Sequence, residues 1–189
     1  MRTLYIERSV ADGSRGDWVE HIGDISSTIS DGISNEDREY DRIVVGTGPG
    51  SFAGIRSALA FAQGFAIGSG CEVLGLPSPC SMVNGEGPMV VVCDARRDMF
   101  WVALFDGFKM IGDVFQVNKE DLAKRVPRGV KVTTPDAARI DALLKETFGE
   151  NYVGGGVPTA EGLMRFAKAN PGMLKPEPLP IYLNPAVRP

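Results

Sequence analysis

The stretch DRIVVGTGPGSFAGIRSALAFAQGFAIGSG, Asp41 to Gly70, sets the tightest limit on what this chain can fold into. Ile43, Val44 and Val45 make an unbroken apolar run, the pattern of a strand covered on both faces. A glycine-rich turn follows, Gly46-Thr47-Gly48-Pro49-Gly50-Ser51-Phe52, and opens a helix of mostly small and apolar residues from Ala53 to Ser69. Strand, tight turn and helix in that order are a building unit of α/β folds.

The rest of the chain extends this pattern. Leu4-Tyr5-Ile6 reads as a strand, with Asp17–Ile22 as its hairpin partner after the Asp12-Gly13 turn signal. Ile25, Ile29 and Ile33, spaced four apart, predict a weakly amphipathic helix within Asp24–Glu39. Further strands are expected at Val73–Leu76, Met89–Cys93, Met99–Phe105, Met110–Val117 and Val130–Thr133, with a strand end at Asn151–Gly156. Helices are expected over Ser78–Asn84, from the Asn118 cap to Arg125, over Pro135–Phe148 and over Pro158–Ala169. Hairpins that lead into alternating strands and helices predict α/β with mixed sheets, divided into an N-terminal lobe (1–84) and a related, shorter C-terminal lobe (85–189). A chain of 189 residues can bury a core of that kind.

A glycine-rich turn between strand and helix raises the question of a bound phosphate. A Walker A loop requires GxxxxGK[ST], and no lysine follows these glycines. A dinucleotide fingerprint requires a third glycine where Ser51 stands. Pro49 lacks the amide hydrogen that an anion cradle would use. The amides of Gly50 and Ser51 could still hold an anion at the helix start, but the motif loop (Gly46, Gly48, Pro49, Gly50, Ser51 and Phe52) is expected to act as a structural turn or contact surface.

The helix is more informative than the loop. Ala58, Ala62 and Ala66 form one stripe of small residues, and Ala60, Gly64 and Gly68 form a second, about 200° away at ~100° per residue. Small side chains on opposite sides permit close approach by two neighbours, the sheet of the same lobe and a helix of a second subunit. A helix buried wholly within one chain fits the same pattern. Arg56, Ala60, Gln63, Gly64 and Gly68 are the expected partner interface. Arg56 opposes the helix macrodipole from the first turn, so either an anion pairs with it or water solvates it.

Other chemistry is sparse. His21 is the only histidine, so no paired-histidine metal motif exists. Cys71, Cys80 and Cys93 lack zinc or CxxC spacing and read as reduced, buried thiols. Asp94, Arg96 and Arg97 follow a buried strand, where α/β ligands gather, although ion pairs bracing a turn account for them equally well. Glu7 closes the first strand. No catalytic, metal or cofactor residue is expected. The net charge of −4 offers no general attraction for nucleic acid or anionic membranes. The opening MRTLYIERSV is too short and charged for a signal peptide, and the apolar helix falls short of the ~20 residues of a membrane span, so a cytoplasmic protein is expected.

These residues carry a resemblance. VVGTGPGSFAGIRSALAFAQGFA resembles the hallmark segment of the bacterial TsaB (YeaZ) family; VVCDARRDMFWVALF is similar to that family's strand-turn-strand, and PIYLNPAV resembles its closing segment. The resemblance implies the actin/Hsp70/sugar-kinase-like (ASKHA) fold, with two lobes of duplicated α/β topology and mixed sheets flanked by helices. It also implies a non-catalytic paralogue of TsaD that pairs with it to make N6-threonylcarbamoyladenosine in tRNA. The implied partners are a TsaD-like paralogue and a TsaE-like ATPase, with tRNA met only through the complex, a homodimer when the subunit is alone, and no membrane. Glu7 stands in the family's "IDTS" motif where aspartate is usual, and Ala53 stands where threonine is common. The alternative is an ATP-binding or glycoprotease-type enzyme of the same fold. A nucleotide shared with the partner, at the 46–52 loop or Gly154-Gly155-Gly156, is the one cofactor option left open.

Overall fold

The computed structural model describes residues 3–10, 18–20, 23–24 and 40–182. The chain divides into two units, Met1–Ser81 with Pro158–Ile181, and Met82–Val157 with Tyr182–Pro189. In the first, β1 (Thr3–Glu7) pairs antiparallel with β2 (Trp18–Glu20) and parallel with β4 (Arg42–Gly46). β5 (Glu72–Leu76) continues the parallel side, while β3 (Gly23–Asp24) and β12 (Lys175–Pro176) form the two edges.

The alternation of a pleated strand explains the core. Leu4 and Ile6 pair in register with Ile43 and Val45 and meet Ile55, Ala58, Leu59 and Ala62 of α1 (Phe52–Ser69) in one apolar cluster. Tyr5 and Val44 point to the other face and are also buried. Helix α4 (Ala160–Ala169) packs on β1 and β4, with Leu163 and Phe166 fully buried. Covering on both sides is why Ile43–Val45 reads as an unbroken apolar run.

The second unit repeats the plan. β6 (Pro88–Asp94) pairs antiparallel with β7 (Met99–Asp106) and parallel with β10 (Lys131–Thr134), and β11 (Tyr152–Gly155) lies beyond β10. β8 (Lys109–Met110) and β9 (Phe115–Asn118) both pair with β7. Asn118 Oδ1 accepts from Asp121 N at 2.8 Å and caps α2 (Lys119–Arg125). Helix α3 (Ala137–Phe148) links β10 to β11 as α1 links β4 to β5. The strand order β3-β2-β1-β4-β5 therefore recurs as β8-β7-β6-β10-β11, a duplicated α/β topology.

Several expectations shift. Met110–Val117, expected as one strand, divides into β8 and β9 because Gly112, at φ 71°, turns the chain between them. Ser78–Asn84 contains only a 3-10 turn, Ser78–Met82. The lobe boundary expected at 84/85 falls at Ser81/Met82, and the first unit also takes in residues 158–181, because the apolar side of α4 is buried on its sheet. The Asp12-Gly13 turn, His21 and the helix expected within Asp24–Glu39 lie outside the described residues.

Candidate functional site

The glycine loop is tied to the strand and turn ends around it. Thr47 donates to the Leu76 carbonyl through its amide at 2.8 Å and its hydroxyl at 3.0 Å. Gly48 N donates to Ser78 Oγ at 3.0 Å, and Ser78 N returns a bond to Gly48 O at 2.8 Å. Ser51 N donates to Ser9 O at 2.6 Å, while Ser51 Oγ accepts from Gly54 N at 3.3 Å and caps α1. The Gly48–Pro49 peptide is cis. A Cβ at Gly50 would collide with the Ser9 carbonyl, so this close approach requires glycine. Of the two amides that could have held an anion, that of Ser51 is already engaged by Ser9.

Glu7 lies directly behind this loop. Its side chain is fully buried, Oε1 accepts from Ser9 N at 2.7 Å and from Ser78 Oγ at 3.1 Å, and Oε2 has no hydrogen-bond partner. A Cβ at Gly46 would overlap Oε2, so the loop closes against the carboxyl. Burial raises the proton affinity of Glu7 above the ordinary carboxylate value, outweighing the hydrogen bonds from Ser9 and Ser78. The carboxyl is enclosed by the Ser9, Gly46 and Ser78 segments. Among the described residues, no group of three or more histidine, cysteine, aspartate or glutamate side chains could hold a metal.

Helix α1 divides sharply into two sides. Ile55, Ala58, Leu59 and Ala62 are buried, so the alanine stripe belongs to the core of its own unit. Arg56, Ala60, Gln63, Gly64 and Gly68 are all exposed, together with Phe52 and Ile67. Nothing lies within 4 Å of a Cβ built at Gly64 or Gly68, and Ile67 is 89% exposed. The Arg56 guanidinium sits 5.1 Å from the centroid of the Phe52 ring. One helix thus presents a wide face of small residues edged by apolar side chains.

A second cluster forms at the ends of β6 and β10 in the other unit. Arg139 Nε donates to Asp94 Oδ2 at 2.9 Å, and its Nη2 donates to Asp136 Oδ1. Asp136 Oδ2 accepts from Asp94 N at 3.1 Å and from the Cys93 thiol. Arg96 is farther from Asp94, at 3.6 Å. Burial first, then the charge of Asp136, raises the Cys93 pKa, so the thiol stays protonated and is a poor nucleophile. Asp136 and Arg139 escaped sequence reasoning. Their i, i+3 spacing at the start of α3 is visible, but nothing joins them to Asp94 until β6 and β10 are known to be neighbours.

The comparisons with known proteins agree with this architecture. A family model described as "TsaD: tRNA N6-adenosine threonylcarbamoyltransferase" matches residues 20–167. YeaZ from Pseudomonas aeruginosa superposes with a TM-score of 0.69 at 18% identity, covering 97% of this chain and 100% of that one. A second solved structure, an uncharacterized protein with similarity to peptidase YeaZ from the same organism, gives 0.68 at 18% identity with the same coverage. Uncharacterized proteins of Mycobacterium tuberculosis and Mycobacterium bovis are 37% identical over 79 residues, 39% of this chain. That match spans 36% of their length, about a third of the curated relatives. Two mixed sheets of duplicated topology, a family match across most of the chain and a near-complete superposition lead to one conclusion: the chain belongs to the TsaD family, with the ASKHA-like fold of YeaZ (TsaB).

Proposed function

We propose that this chain acts in forming N6-threonylcarbamoyladenosine in tRNA, as a non-catalytic subunit paired with a TsaD-type protein. The observation that carries the reading is α1: one side is buried in its own core, while Arg56, Ala60, Gln63, Gly64 and Gly68 stand exposed on the other. A face of small residues suits close helix-to-helix contact, and the exposed Ile67 and Phe52 beside it add apolar area to bury. The subunit self-associates through this face when alone and exchanges to the TsaD-type partner when that is present, with a TsaE-type ATPase joining the assembly. It meets tRNA within the complex and works in the cytoplasm; no described helix is long and apolar enough to cross a membrane. The enzyme alternative draws no support from Glu7, which is buried behind the glycine loop.

Co-purification with the TsaD-type protein of the same organism tests the proposal, together with an assay for modified tRNA. The wild-type chain should be retained and should support modification. Gly64→Leu should weaken both by wedging the face apart, an overpacking cost of ~1–3 kcal/mol at the interface, or about 5- to 150-fold in affinity. Full activity from a TsaD-type protein without this chain, or ATP turnover by the chain alone, would sink the reading.

A further inference from the structure

The turn joining β6 to β7 has an unusual backbone. Arg96, Arg97 and Asp98 lie in succession at φ 67°, 55° and 56°. This left-handed region crowds Cβ against the backbone; aspartate tolerates it through its short polar side chain, and arginine does not. The next turn of the same sheet, between β7 and β8, places Gly107 there instead, at φ 58°. The arginine turn is nonetheless held firmly. Ala95 N donates to Met99 O at 2.9 Å, Arg96 N to Asp94 Oδ1 at 2.7 Å, and Lys119 N to Asp98 O at 2.9 Å. All three left-handed residues are exposed, so core packing does not account for the strained conformation. Strain kept at exposed side chains points to a use for those side chains.

Arg97 is exposed, and Arg96 keeps only a long contact, its Nη1 standing 3.6 Å from Asp94 Oδ2. The stronger contact of Asp94 Oδ2 is with Arg139, and Asp136 is engaged by Arg139 and Cys93. Arg97 makes no ion pair among the described residues, and Arg96 has a 66% exposed side chain. Exposed Lys119 lies at the same sheet end, because Asn118 pairs with Met99; Asp98 and Glu120 are the exposed acids beside it. A guanidinium fork fits phosphate oxygens in pairs. Two forks on an exposed turn suit a polyphosphate strand lying across them, whereas a small ligand calls for a concave pocket.

We propose that Arg96 and Arg97 contact backbone phosphates of the tRNA in the assembled complex, an inference that rests on the tRNA-modification reading above. The test uses the full chain assembled with its TsaD-type partner and a tRNA transcript, with Kd measured across a salt series. Arg96→Ala/Arg97→Ala should weaken binding about tenfold and flatten the log K against log salt slope by roughly 1–2. Arg96→Lys/Arg97→Lys should keep the slope while recovering only part of the affinity, since charge remains and the fork is lost. Arg96→Gly/Arg97→Gly should melt at least as high as wild type and bind as poorly as the alanine pair. Unchanged affinity and slope in a complex that still assembles and modifies tRNA overturn the proposal and leave the functional reading standing. Loss of association with the TsaD-type partner also overturns it, making the turn a protein interface. If the wild-type chain does not pair with a TsaD-type protein, the functional reading fails first and this proposal with it.

Discussion

Glu7 brings burial, hydrogen bonding and pH dependence together at one atom. Its Oε2 has no hydrogen-bond partner in a site closed to water, so an ionised Glu7 weighs against the folded state. The folded pKa is raised above the ordinary value of 4.5. A raised carboxyl binds its proton more tightly in the folded chain, so its contribution to stability is fully present below 4.5 and is lost as pH rises through the folded value. Glu7→Gln keeps the shape and removes the titration. The variant should match wild type at acid pH and melt higher at about pH 8, by about 2–4 °C per kcal/mol recovered. Thermal melts of both proteins at the two pH values decide this; a gap that does not change with pH would mean that Glu7 does not titrate across the range. The same residue marks a limit of sequence reading. Its place at the end of a strand was legible, and its enclosure was not, because Ser9, Gly46 and Ser78 come from three separate segments.

Helix α1 was the element most fully written in the sequence, down to bounds of Ala53–Ser69 against Phe52–Ser69 observed. Local turn chemistry and a long run of helical residues are short-range signals, and so they survive into the fold. The two small-residue stripes were equally visible, but the sequence alone could not say which one the sheet would cover. Two substitutions separate their roles. Ala62→Leu adds bulk to a fully buried position in the β1–β4 cluster and should cost ~1–3 kcal/mol, lowering Tm by about 2–4 °C per kcal/mol. Gly64→Leu has nothing within 4 Å of its Cβ and replaces the weaker helix former, so at dilutions where the chain is monomeric it should hold or raise Tm by up to ~1 kcal/mol equivalent. Melts on the two variants would refute this if Gly64→Leu proved the more damaging. Elements set by long-range contact were harder to read. The bridge from Arg139 to Asp94 spans 45 residues, and no local periodicity reports it.

At the scale of the whole molecule, the division into lobes follows the burial of α4 more closely than it follows chain order. The first unit is not complete at residue 84. Leu163 and Phe166 of α4 are fully buried, α4 packs on β1 and β4, β12 pairs with β5, and Ile181 N donates to Thr47 O at 2.8 Å. Full burial of two such side chains is worth about 1.5–3 kcal/mol each. Their loss would remove a large share of the 5–15 kcal/mol that typically holds a domain together. A fragment of residues 1–84 should therefore show no cooperative melt, although its strands and α1 are present. Joining 1–81 to 158–181 through a short Gly/Ser linker should restore one, because Gly162, four residues past the cut, already lies against the Ser81 backbone. Circular dichroism melts of the two fragments distinguish the cases. A cooperative transition in 1–84 alone would mean that β1, β4, β5 and α1 suffice as a core. A spliced fragment that fails to melt cooperatively would mean that the first unit depends on the second, and that burial on its own sheet is not what draws α4 back across the chain.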